Sequence, residues 1–114
     1  MGRWTAWKLL ANSNSWQSPT TYYRGSACYR LRVKPRIGRP KEVYVGSTGD
    51  LQSRLRDHAK GQTNTTKCIN SFLRKGYVLE GSWYRCDNVD EARRMERTYL
   101  DKYCFDCNKQ LNDC

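Results

Sequence analysis

Arg54 and His58 stand four residues apart, so on a helix they lie only about 40° apart around the axis and share a face. That histidine is the only one in the 114-residue chain. Upstream, Tyr29 and Tyr44 each sit in a short apolar run; downstream, Glu96 falls in the middle of an apolar stripe of helical period. A carboxylate on a buried face is costly unless it is paired, hydrogen-bonded or bound to a metal. Taken singly, a strand tyrosine packs, a lone histidine is hydrogen-bonded into a core, and Glu96 pairs with Arg93 or Arg97. Taken together, the five are the parts of a phosphodiesterase site. Such a site needs a base to deprotonate water, positive charge for a phosphorane-like transition state, and a divalent ion at the leaving oxygen.

Elements must carry these residues. From Ala27 to Val33 the chain alternates, putting Cys28, Arg30 and Arg32 on one face and Ala27, Tyr29, Leu31 and Val33 on the other, the period of a strand. Glu42 to Gly46 reads as a second strand. The stretch Lys34 to Lys41 between them holds two prolines, a glycine and four positive charges, and reads as an exposed hairpin loop. Gly46 and Gly49 break the second strand, and Asp50 is a good N-cap for a helix from Leu51 to about Lys60, with Leu51, Leu55 and Ala59 inward. A second helix is expected from about Thr65 to Lys75, with Ile69, Phe72 and Leu73 inward and Gly76 as its stop. Tyr77 to Cys86 then reads as a third strand, bulged at Gly81. The last helix, about Asp90 to Tyr103, carries Ala92, Met95, Glu96, Tyr99, Leu100 and Tyr103 as one inward stripe. Residues 1–26 hold Trp4, Trp7, Trp16, Tyr22 and Tyr23 without a clear period. They read as an N-terminal arm whose aromatics pack on the domain that follows, residues 27–114, with stacking on unpaired bases as the other reading.

Composition narrows the partners. Twenty-one Lys and Arg against 11 Asp and Glu give a net charge of +10, and the first 41 residues hold nine basic residues and no acid. That clustering, with Arg30, Arg32, Lys34, Arg36, Arg39 and Lys41 at its centre, favours a face that binds a polyanion, nucleic acid rather than a membrane. No stretch approaches a membrane span, and the N-terminus lacks a signal peptide's apolar run. Of six cysteines, Cys28 and Cys68 sit in apolar patterns as core thiols. With no secretion signal, the expectation is reduced thiols in a cytoplasmic or otherwise intracellular compartment, the host cell if the chain is phage-encoded. Cys104-Phe-Asp-Cys107, with Cys114 beyond it, offers a rival reading: a small zinc-binding protein, should further ligands converge from Cys86 or Cys68.

In order and spacing these residues resemble the GIY-YIG nuclease family. Ala27-Cys28-Tyr29 stands where that family has its first Gly-Ile-Tyr, and Tyr44-Val45-Gly46 where it has Tyr-Ile-Gly; Arg54 and His58 follow at the expected offsets. Glu96 is similar to the family's metal-binding Glu and Asn112 to its late Asn, with Asn108 competing for that last position. Ala27 for Gly is the departure. The resemblance implies a small α/β (α+β) domain, a three-stranded antiparallel sheet flanked by helices. It implies a metal-dependent endonuclease that hydrolyses double-stranded or branched DNA, with one Mg²⁺ or Mn²⁺ on Glu96, Arg54 at the scissile phosphate, Tyr29 as general base and Tyr44 and His58 hydrogen-bonded nearby. Specificity would come from the basic hairpin, the arm, a homodimer or a partner protein. A binding module that kept the fold and lost catalysis is the alternative.

Overall fold

A computed structural model describes residues 2–13, 15–16, 23–61 and 63–108. Its frame is an antiparallel sheet of β1 (Lys8–Ala11), β2 (Ala27–Lys34), β3 (Lys41–Thr48) and β4 (Val78–Arg85), in the order β1-β4-β2-β3. Three helices, α1 (Leu51–Ala59), α2 (Asn64–Leu73) and α3 (Val89–Lys102), complete it. The alternation in β2 has the predicted effect. Ala27, Tyr29, Leu31 and Val33 join Leu51 and Leu55 of α1 and Ile69 and Leu73 of α2 in one core. Cys28 joins Val45 of β3 and Ala92 and Leu100 of α3 in another, on the opposite face. The sheet is thus the middle of three layers, and β2 is its covered centre.

The helix starts follow their caps. Asp50 accepts from Ser53 N at the head of α1, Thr63 from Thr66 N at α2, and Asn88 from Glu91 N at α3. Each side chain satisfies a backbone donor that the first turn leaves unpaired.

The structure departs from the sequence reading in four places. The sheet has four strands, not three, because the N-terminal arm contributes β1 along the outer edge of β4. Gly81 makes no bulge in β4, which pairs with β2 in unbroken register. Instead a Cβ at Gly81 would lie 2.6 Å from Leu10 Cδ1, so the missing side chain is the space Leu10 fills. The register shifts lie elsewhere: between Leu9 and Ala11 on β1, and at Val43 on β3, where Leu31 faces Tyr44 but Arg32 faces Glu42. An extra residue reverses the alternation beyond it. Glu42 therefore reaches Arg30 on the α3 face (3.1 Å), while Tyr44 stays beside Tyr29 on the other. Tyr103 is 58% exposed, not inward, because α3 ends at Lys102 and Tyr103 is extended. Finally, Cys68 is no free thiol: it is bonded to Cys107, with 5.7 Å between their Cα atoms. Cys28 is a buried free thiol as expected, held near pH 12 by burial, then by Cys86 and Glu96.

The disulfide removes the zinc reading as well. A metal needs thiolates, Cys107 has spent its sulfur on Cys68, and Cys104 is disulfide-bonded too. Among the described residues no group of three or more His, Cys, Asp and Glu side chains could hold a metal.

Candidate active site

Tyr29 and Tyr44 come from neighbouring strands and His58 from α1, and their rings form a triangle with centroids 5.8 to 5.9 Å apart. Gly46 makes the triangle possible. A Cβ there would sit 2.6 Å from Tyr29 Cζ and 2.7 Å from Tyr44 Cε2, so any side chain would displace both rings. The glycine of Tyr44-Val45-Gly46 is a packing requirement.

Proton counting fixes the orientation of the histidine. Thr66 donates its only hydroxyl proton to the His58 carbonyl (2.6 Å), so in its 2.9 Å contact with Thr63 Oγ1 it must accept. Thr63 has then used its own proton and can only accept from His58 Nδ1, 2.9 Å away. Nδ1 carries the proton. Nε2 is left as a lone pair facing the Tyr29 hydroxyl at 2.8 Å, and Tyr29 donates to it.

Charge is arranged around that pair. Arg54 stands beside both tyrosines, whose phenols favour its charged form, and it has no carboxylate partner among the described residues. Burial opposes its charge, but the two phenols hold it protonated beyond its usual range. Burial pushes His58 down to about 4, with the nearby guanidinium adding to the effect. Burial also pushes Tyr29 well above 10, with Tyr44 adding to it; Arg54 works the other way but loses. Both partners of the Tyr29–His58 hydrogen bond are neutral near pH 7.

The four side chains are not equally accessible. Tyr29 and His58 are 1% and 0% exposed. Tyr44 and Arg54 line a cleft of about 600 Å³ whose other walls are the start of α2, the Cys68–Cys107 disulfide and Asn108. The Tyr29 and His58 rings pack against Tyr44, a residue of the cleft wall.

The family model of the GIY-YIG catalytic domain matches residues 26–110. The chain belongs to the GIY-YIG family. Neither the comparison with curated proteins nor that with solved structures gives a match. The GIY-YIG domain is a nuclease-type fold, its substrate class is nucleic acid, and nucleases of the family are generally dependent on a divalent metal.

The remaining predicted positions of this GIY-YIG domain divide. Glu96 lies on the α3 side of the sheet, half-buried, its Oε1 accepting from Ser47 Oγ at 2.6 Å. It makes no ion pair among the described residues; Arg93 contacts Asp90 instead, at 3.9 Å. Asn112 lies outside the described residues. Asn108, its competitor, is 3% exposed and grips Val45 twice: Oδ1 accepts from Val45 N and Nδ2 donates to Val45 O. With Cys107 N donating to Val43 O (2.7 Å), the segment covers the outer edge of β3 and fixes the strand that bears Tyr44.

The basic set also divides. Lys34, Arg36 and Arg39 are exposed and make no ion pair among the described residues, whereas Lys41 is tied to Asp106 at 2.9 Å. Arg30 and Arg32 are held in the α3 layer by Glu42 and Glu80 and by the arm: Arg30 lies 4.2 Å from the Trp4 ring centre and Arg32 4.3 Å from that of Trp7. Those arm tryptophans pack on the domain. Thr63 and Thr66 were not anticipated; the Thr-x-x-Thr cap pattern after His58 was the available signal.

Proposed function

We propose that the chain is a metal-dependent endonuclease that hydrolyses phosphodiester bonds of double-stranded or branched DNA. One observation carries the reading: a guanidinium without a carboxylate partner among the described residues lines a cleft whose wall, at Tyr44, packs against a buried Tyr–His pair with its free lone pair aimed at the phenol. A cation left among phenols is a receptor for an anion such as phosphate.

Arg54 takes the scissile phosphate and the charge that develops on it. A phosphate anion there offsets the positive charge that depresses His58 and so raises its basicity. Tyr29 is 1% exposed and absent from the cleft lining, so the attacking water meets it only when the wall opens at Tyr44 and Arg54; Tyr29 Oη then takes the water's proton while passing its own to His58 Nε2, and no phenolate accumulates. Thr63 and Thr66 keep Nδ1 protonated throughout. Tyr44 holds Arg54 at the cleft wall.

Glu96 suits a hard divalent ion. It is a single carboxylate with no ion pair among the described residues and one oxygen oriented by Ser47, and Mg²⁺ is commonly held by one or two carboxylates, with water and substrate oxygens completing its shell. A divalent ion held there would supply positive charge to a phosphodiester oxygen that reached the α3 side of β3; Glu96 is not among the residues lining the Arg54 cleft. Lys34, Arg36 and Arg39 would steer the duplex through phosphate contacts.

The test is cleavage of end-labelled linear and four-way-branched DNA with Mg²⁺ and with EDTA. Cleavage in Mg²⁺ alone supports the proposal, and the preferred substrate identifies its DNA form. Binding of both without cleavage under either condition would make the inactive-module reading the correct one.

A further inference from the structure

A second cavity, of about 340 Å³, lies on the α3 side of the sheet, between Arg30 of β2, Glu42 of β3, Tyr99 of α3 and the residues Tyr103, Cys104 and Phe105 that follow that helix. The mechanism uses none of them. Three of the lining residues are aromatic and form a ladder: the Tyr103 ring centre is 6.0 Å from that of Tyr99 and 6.4 Å from that of Phe105. Tyr103 is also the one exposed aromatic residue among the described residues, at 58%. An aromatic face that is left in water and lines a cavity is a surface for stacking. The polar members are held still. Arg30 donates to Glu42 Oε1 at 3.1 Å, and its guanidinium lies 4.2 Å from the Trp4 ring centre and 5.2 Å from that of Tyr99. Glu42 Oε2 has no partner among the described residues.

A cavity of this volume is at the lower end for small-ligand sites, with room for a single heterocycle and none for a base pair in its helix. A ring to stack on, and a carboxylate oxygen to accept from an exocyclic amino group, are contacts by which an unpaired base is held. Charge for the neighbouring phosphates is at hand: Lys34, Arg36 and Arg39, exposed and without an ion pair among the described residues, lie on and beside the loop that joins the strand of Arg30 to that of Glu42. We propose that this cavity is the receptor for one unpaired nucleobase, stacked on Tyr103, and that the DNA this chain acts on is therefore branched or tailed rather than fully paired. This rests on the nuclease reading and narrows its substrate. Glu96 precedes Tyr99 by three residues, one turn of the same helix, so a base seated here brings its own strand to the side of the sheet where Glu96 lies.

The experiment separates this site from catalysis by working in EDTA. A fluorescein-labelled duplex with a short single-stranded tail is bound by wild type, Tyr103→Ala and Tyr103→Phe, and the titrations are repeated with one abasic nucleotide placed at each tail position in turn. Wild type should bind about tenfold more weakly when the abasic nucleotide falls at one particular position, the scale of losing one base–aromatic stack. Tyr103→Ala should bind the intact tail about tenfold more weakly and be indifferent to the abasic nucleotide, whereas Tyr103→Phe should behave as wild type, because the ring stacks and the hydroxyl does not. Tyr103 is exposed and lies beyond the end of α3, so the melting temperature should stay near that of wild type. Loss of response to one missing base is a coupling between two partners, which misfolding does not produce. A tail that adds nothing to duplex affinity, abasic nucleotides that cost nothing at any position, or Tyr103→Ala binding as wild type does, each overturns the proposal. If the chain cleaves DNA in Mg²⁺ while these signs are absent, this proposal alone fails. If the position-specific loss is found in a chain that never cleaves, the base site stands and the nuclease reading falls.

Discussion

His58 makes the chain's stability depend on pH in a window set by its burial. In the unfolded chain it titrates near 6.5; in the fold, burial and Arg54 bring it to about 4. Above 6.5 it is neutral in both states and contributes no dependence. Between 6.5 and about 4 the unfolded chain binds a proton that the folded chain refuses, so stability falls as pH falls. Below that both states are protonated, and the loss is complete. The gap between those two values corresponds to about 3 kcal/mol, at about 1.36 kcal/mol per unit. The assay is urea unfolding across that range, with His58→Gln as the reference that cannot titrate. Carboxylates acid-destabilise both proteins alike, so the difference between them isolates the histidine. It should change by about 3 kcal/mol in favour of His58→Gln on going from neutral pH to below pH 4. A difference that stays flat, or moves the other way, would refute the buried neutral imidazole and with it the Nε2 lone pair that accepts from Tyr29.

Other outcomes follow from the same geometry. Gly46→Ala should cost about 1–3 kcal/mol through overpacking and abolish cleavage, because both tyrosine rings must move; thermal melts and a cleavage assay check this, and wild-type activity in a folded variant would contradict it. The double variant Cys68→Ala with Cys107→Ala should lose about 4 kcal/mol of stability in urea unfolding, the loop-closure entropy for a span of 39 residues. Replacing Lys34, Arg36 and Arg39 by Gln should reduce the slope of log affinity for duplex DNA against log salt by about 0.9 for each phosphate that is no longer neutralised. Replacing Arg30 and Arg32, which are engaged by Glu42 and Glu80, should change that slope much less.

The parts of the fold with a strong period were legible. The alternation through Tyr29 and the helical stripe through Glu96 each state a face, and burial enforces it. Asp50 marked the start of α1 because capping is local chemistry. What escaped was set by contacts distant in sequence. β1 is four residues in an aperiodic aromatic arm, and only the edge of β4 makes it a strand. The bulge at Val43 is settled by Glu42 reaching Arg30, and nothing within the strand announces it. Arg30 and Arg32 look like a nucleic-acid face when charges are counted along the chain, because Glu80 lies 48 residues from Arg32. At the site, the order of Tyr29, Tyr44, Arg54 and His58 was readable. The direction of the Tyr29–His58 proton was not, since it depends on two threonine hydroxyls in a different helix cap.

The most direct measurement is nicking of supercoiled plasmid by the purified chain in Mg²⁺, Mn²⁺ and EDTA, with Arg54→Ala and Glu96→Ala beside it, each shown folded by its thermal melt. The account predicts nicking that needs the metal and falls by at least about 100-fold in both variants, the scale of removing one transition-state charge interaction. Undiminished nicking by folded Arg54→Ala, or nicking by wild type that persists in EDTA, would contradict it.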